Sequence, residues 1–337
     1  MHASLPLMTN EKEKPGAVVS LVFEYVDPSV LGADPEAGEF PPLLRGCAAV
    51  LAACGVDTTK TRLVITGDFV RSVQDRGEPG SNYHENFNTR RNTGMVGGKT
   101  ISLPDSSIDV LLQAVMFVLP ESAEDVRDVA ESALHTVVHE GQHVVMAQRG
   151  EASEDFESSP WARRNLLVAA DQVIEEYRAE LVASREVPSG WTADDLISSA
   201  KTWLSDLQRI ATVEYQSHMD VGKLSGDVLQ ETHTVWKLLG YVAAEHRVAG
   251  LGLPTSVTEH ELWVAMIEPH WPEFTLLLAN VPGADERIPR KDLVHLTSDL
   301  ADLFSMWLVT LGFEFTDTPE GSKFFIKDWT LLELEVG

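Results

Sequence analysis

Two long apolar repeats at the 3.6-residue helical period, 121–149 and 158–188, constrain this fold most, because the chain ahead of them repeats as short β-branched and aromatic runs. The first repeat predicts a helix that Ser122 caps and Gly150 stops. The second has Ser159 as its expected cap, Pro160 at its first helical position and Pro188 just past its end. Ahead of them, "AVVSLVFEYV" (17–26), "TRLVITGDFV" (61–70), "MVGGKTISLP" (95–104) and "IDVLLQAVMFVLP" (108–120) read as strands, and Pro41 to Cys54 as a helix ended by Gly55. The glycines and lysine of the third strand suit a sheet edge. Residues 71–94 have no apolar period and carry Arg71, Arg76, Arg90 and Arg91, which predicts a long, locally basic surface loop.

After residue 190 the pattern is mainly helical: 192–218, 225–249, 257–280 interrupted at Pro269 and Pro272, and 290–311, with a closing hairpin over 313–327. The expected class is α+β, with a small mixed sheet and two long helices in residues 16–190, a mainly helical part in 191–337, and a flexible stretch over 1–15. Against 26 Lys and Arg stand 52 Asp and Glu, a formal charge of −26 that repels polyphosphate backbones and argues against nucleic acid or an anionic membrane as partner. No apolar run approaches the roughly 18 residues of a membrane span, and the start lacks the basic and apolar blocks of a secretory leader, so a cytoplasmic protein is expected. Cys47 and Cys54 form neither a CxxC knuckle nor a disulfide framework and read as small buried hydrophobes.

The first long helix carries "HTVVHEGQHVVMAQRG" (135–150), in which His139, Glu140 and His143 spell H-E-x-x-H. Positions i and i+4 lie on one helix face about a turn apart, so both imidazoles can reach one tetrahedral metal while Glu140 is placed to take a proton from water. Val137, Val138, Val144, Val145 and Met146 flank the motif, so without a ligand its polar groups would be costly to bury. His135, one turn earlier, is expected to be a half-exposed helix histidine rather than a support for the site.

A catalytic zinc takes a third protein ligand. On the second helix Leu166, Ala170, Val173, Ile174, Tyr177 and Leu181 form one stripe; Glu175 projects away from it toward solvent, whereas Glu176 and Glu180 lie on its flank. Glu176 is the expected ligand and Glu180 the carboxylate that holds a ligand histidine by its other ring N–H, with the reverse assignment open. Tyr215, His218 and His233, on the following helices, are candidates for stabilising an oxyanion, though a satisfied core or surface residue is the favoured reading of each.

H139-E-G-Q-H143 followed by E176-Y-R-A-E180 resembles the gluzincin metallopeptidases, in which E-x-x-A-D supplies the third ligand; here Glu180 stands in place of the aspartate. The resemblance covers about 125–185 and the strand order before it. It implies a zincin-like fold, a Zn²⁺ held by His139, His143 and Glu176, Glu140 as general base, and a peptide or protein substrate, with the strand at 95–104 open to pair with an extended peptide. No H-x-x-G-x-x-H follows His143, which disfavours a three-histidine site, and no second E-x-x-H is present to build a di-iron pair. A metal-dependent enzyme acting on a small molecule, and a non-catalytic zinc protein that binds a partner, are the alternatives.

Overall fold

The computed structural model describes residues 18–77, 87, 90–91, 94–95, 97–118, 120, 122–151, 156–188 and 192–333; the 1–15 stretch lies outside them. Its fold is α+β, with a small mixed sheet followed by a mostly helical C-terminal part.

Strands β1 (Ser20–Glu24), β2 (Thr61–Thr66), β5 (Gly98–Ser102) and β6 (Ile108–Gln113) form one sheet in the order β1-β2-β6-β5. The first three are parallel and β5 runs antiparallel at the edge, with Gly98 opposite Leu112 and Ser102 opposite Ile108. Parallel strands are covered on both faces, and alternation along β2 and β6 divides their side chains accordingly. Leu63, Ile65, Val110 and Leu112 meet helix α1 (Pro42–Ala53), while Val64 and Leu111 meet Phe69, Val73 and Phe87 on the other face.

Phe69 and Val73 belong to a short helix, α2 (Phe69–Gln74), which corrects two expectations: the second strand ends at Thr66, and the segment after it does not begin as a loop. Asp68 caps α2 by accepting from the Arg71 N–H, and the apolar pair four apart turns inward to close the second face of the sheet. Farther along the segment, β3 (Arg90–Arg91) and β4 (Gly94–Met95) pair antiparallel. The last sheet strand also stops early, at Gln113, where a 3₁₀ turn sends Ala114 and Phe117 back into the core.

Helix α3 (Ala123–Gln148) starts at Ser122, whose side chain accepts from the Asp125 N–H, and Gly150 leaves it in the left-handed region at φ +66°. Val137, Val144 and Val145 pack on the sheet, whereas Val138 and Met146 turn toward helix α4 (Trp161–Glu186). Ala179 and Ala183 supply α4's side of that contact, and such small residues let two helices approach closely enough for polar side chains to meet between them. Ser159 is not the cap of α4. Pro160 holds the N-cap position, and the orphan N–H groups of Ala162 and Arg163 donate instead to Asp317, at 3.1 and 2.9 Å.

Asp317 sits on the closing hairpin, β7 (Phe313–Thr318) and β8 (Gly321–Ile326), so the end of the chain caps the helix that carries the glutamates. The apolar stripe of α4 enters the largest core, with α5 (Ala193–Gln208), α7 (Val221–Ala249) and α11 (Arg290–Thr310). Between α5 and α7 lie a π-helical turn (Arg209–Glu214) and α6 (Tyr215–His218). The expected 257–280 helix is three short ones, α8 (Thr255–Thr258), α9 (Glu261–Met266) and α10 (Trp271–Leu278). Packing is continuous across residue 190, which makes α4 the link between the sheet and the C-terminal helices. Among the described residues no helix is long and apolar enough to cross a membrane.

Candidate metal centre

Where α3 crosses α4, His139, His143 and Glu176 bring one ligand atom each to within 4.8 Å of one another. Four-coordinate zinc, with bonds of about 2.0–2.1 Å to nitrogen and oxygen, separates neighbouring donors by about 3.3 Å. Here His139 Nε2 lies 3.1 Å from Glu176 Oε2, His143 Nε2 lies 3.2 Å from His139 Nε2, and His143 Nε2 lies 3.5 Å from Glu176 Oε2. The donor set and its spacing therefore fit a metal ion of that kind.

The orientation of His139 is fixed from behind. Its Nδ1–H donates to Glu180 Oε2 at 3.0 Å, which turns Nε2 toward the other two donors. Glu180 is 3% exposed, and its second oxygen accepts from Ser184 Oγ at 2.8 Å. Burial alone would raise the Glu180 carboxyl, but His135 and His139 hold it below the usual range. His135 is thus part of the assembly and not a half-exposed surface histidine: Nε2 faces Glu180 at 3.2 Å while Nδ1 donates to the Val187 carbonyl at 2.7 Å. One buried carboxylate ties two turns of α3 to α4.

Glu140, 8% exposed, packs against the edge strand, where Thr100 Oγ1 donates to its Oε2 at 2.7 Å. A Cβ on Gly98 would lie 2.8 Å from Glu140 Cγ, 2.9 Å from Thr136 Cγ2 and 3.1 Å from Glu140 Oε1, so only glycine lets this carboxylate sit on β5. Gly98→Ala is therefore expected to shift Glu140 without touching the His139, His143 and Glu176 donors. If Glu140 serves as a general base at a metal held by these donors, misplacement by an ångström should lower the rate about 10²-fold and leave metal content unchanged. Activity and metal content measured on one preparation check it, and wild-type activity would mean that Glu140 tolerates the shift. Gly141, inside the motif, leaves similar room for α1: a Cβ there would lie 2.8 Å from Cys54 Sγ. Cys47 is buried as expected, whereas Cys54 is only partly so; burial pushes their thiols up to about 12 and about 11.

Comparison of the chain with protein-family profiles, with curated proteins and with solved structures returns no match.

Glu175 departs from expectation. It is half-buried and not turned to solvent, and burial pushes its carboxyl up to about 7, with His143 and Lys99 of β5 opposing that rise. The phase of α4's own apolar stripe says nothing about neighbouring elements such as α3 and the edge strand, whose His143 and Lys99 lie within electrostatic reach.

Of the three oxyanion candidates, Tyr215 and His218 contact each other edge to face, and His218 Nδ1 accepts from the Asp220 N–H at 2.9 Å. Neither is among the described contacts of the triad. His233 is on α7, within electrostatic reach of Glu176, and its Nε2 is buried without a hydrogen-bond partner among the described residues. Burial, with Lys237 adding to it, lowers the imidazole to about 3, so it is neutral at pH 7.

Two further α7 residues reach the site and were not foreseen. The Tyr241 hydroxyl donates to Glu176 Oε2 at 2.6 Å, and Lys237 Nζ lies 3.6 Å from Glu176 Oε1. The Tyr241 ring also packs edge to face on His139, with centroids 5.6 Å apart. Burial, reinforced by Glu176, Glu180 and Glu140, holds the phenol well above its ordinary value, so it remains a donor. His233, Lys237 and Tyr241 recur every fourth residue on α7, a spacing that was available in the sequence.

Proposed function

We propose that the chain is a zinc-dependent hydrolase, and that it cleaves peptide bonds in the manner of the gluzincins its motifs resemble. The observation that carries this reading is the convergence of two imidazole nitrogens and a carboxylate oxygen at metal-donor spacing, with the proton-accepting candidate Glu140 next to the first histidine. Zinc in such a donor set supplies Lewis acidity: it makes water acidic enough to lose a proton near neutral pH, and it polarises a carbonyl.

The remaining roles fall to the chain. His139, His143 and Glu176 hold the ion, and Glu180 fixes the His139 tautomer and ring plane. Glu140 takes the proton from the attacking water and returns it to the leaving amine, docked for that work on Gly98 and Thr100. Among the described residues strand β5 is an edge of the sheet, beside Glu140, where an extended peptide can add as another strand. His233, neutral and with a buried nitrogen that has no partner among the described residues, is the candidate donor to the carbonyl oxygen as charge develops there.

Elemental analysis of the purified protein tests the first step. About one equivalent of zinc is expected in wild type, because two imidazoles and a carboxylate suit that metal, and clearly less in His143→Ala. Stoichiometric iron, or equal metal in both proteins, would remove the zinc reading. A search for peptides cleaved by the wild type and spared by Glu140→Gln then tests the substrate class; an empty set from a zinc-loaded protein would favour a small-molecule substrate or a non-catalytic role.

A further inference from the structure

Glu176 closes the ligand set, yet its two oxygens are held by a different helix from the one that carries it. Tyr241 donates to Oε2, the oxygen facing the histidines, at 2.6 Å, while the Lys237 ammonium lies 3.6 Å from Oε1. The two residues are four apart on α7 and so share a face of that helix. Their effects on the carboxylate differ. A phenol hydrogen bond occupies one lone pair of Oε2 and leaves the second directed at the imidazole nitrogens, whereas the ammonium draws Oε1 away from them.

We propose that Tyr241 and Lys237 are positioning residues that hold Glu176 ready to ligate through Oε2 alone, so that α7 belongs to the metal centre although it supplies no ligand. The proposal rests on the reading of His139, His143 and Glu176 as ligands. Without these two partners a long glutamate side chain on the rim of the site is free to turn to water or to present both oxygens, and a metal would have to select the single-oxygen arrangement at a cost in affinity. With them the arrangement exists before the ion arrives. Loss of an outer partner of a ligand typically weakens metal binding about 10- to 100-fold.

Affinities of the metal-free full-length chain for Zn²⁺ and Co²⁺, measured by competition with a chromogenic chelator, test the proposal together with the visible spectrum of the Co²⁺ form. Tyr241→Phe keeps the ring that packs on His139 and removes only the hydroxyl; Lys237→Met keeps a stem of similar length and removes the charge. Each is expected to bind about 10- to 100-fold more weakly and to change the Co²⁺ spectrum, with Lys237→Arg recovering most of the wild-type affinity. The thermal transition of each metal-free variant separates this effect from misfolding, and Lys237, being partly exposed, tolerates replacement even if Tyr241 does not. Wild-type affinity and spectrum in Tyr241→Phe and Lys237→Met, alongside weakened binding in Glu176→Gln, would overturn the proposal and leave the ligand assignment standing. Undiminished binding in Glu176→Gln would overturn both.

Discussion

Glu140→Gln, which removes the proposed general base, is expected to lower turnover of any peptide the protein cleaves about 10²- to 10⁴-fold, while zinc content and thermal stability stay at wild-type levels. The separation follows from where the residue sits. The metal donors lie between α3 and α4, whereas the Glu140 carboxylate is turned to the edge strand, with Oε2 accepting from Thr100. A glutamine has the same shape, and its amide oxygen can accept from the same hydroxyl, so packing against Gly98 is kept. What the amide cannot do is take a proton. Loss of zinc in this variant would make Glu140 a ligand, and unchanged turnover would place the chemistry away from α3. Measuring both on one sample distinguishes a missing base from a missing metal.

The parts of this centre that were legible in the sequence are those set by a single helix. His139 and His143 share a face because they are four apart, and Glu176 and Glu180 lie together on the flank of α4's stripe for the same reason, so the two pairs meet once the helices pack. Features that depend on two elements were misread or missed. Glu175 projects away from its own helix's stripe, yet it is half-buried and within electrostatic reach of His143 on α3 and Lys99 on β5. His135 looks like a surface residue until Glu180 arrives from α4 to meet it. The α4 cap illustrates the same limit, since Ser159 is the local candidate but Asp317, more than 150 residues away, accepts the hydrogen bonds. Helix α2 was hidden for another reason: two turns are too short to establish a period, and Phe69 reads equally well as the end of a strand. Tyr241 and Lys237 did leave a four-residue spacing, but α7 carries many other polar residues, and spacing along one helix does not say which neighbour a face meets.

Metal affinity should depend steeply on pH, and the dependence is set by His139. In the metal-free protein its ring lies between two carboxylates, Glu180 at 3.0 Å from Nδ1 and Glu176 at 3.1 Å from Nε2. Burial by itself disfavours the imidazolium, but the two carboxylates outweigh it and raise His139 from an ordinary 6.5 to about 10. A metal ion requires the Nε2 lone pair, so at neutral pH it must displace a proton, and apparent affinity should rise about tenfold per pH unit, or about 1,000-fold between about pH 6 and 9. Stability of the metal-free protein should move the other way. A pKa raised by folding stabilises fully below the unfolded value, near 6.5, and that contribution is lost as pH climbs through about 10. Glu180, held below its ordinary 4.5, contributes above that pH and loses its share only in acid, so it does not alter the trend in this window. The gap in thermal midpoint between zinc-loaded and metal-free protein should therefore widen steadily from about pH 6.5 toward 10. Calorimetric titration with zinc at pH 7, in two buffers of different ionisation enthalpy, should report about one proton released per ion bound. Affinity that does not change with pH would mean that His139 is already neutral in the metal-free protein, and that its two carboxylate partners serve to orient the ring without charging it.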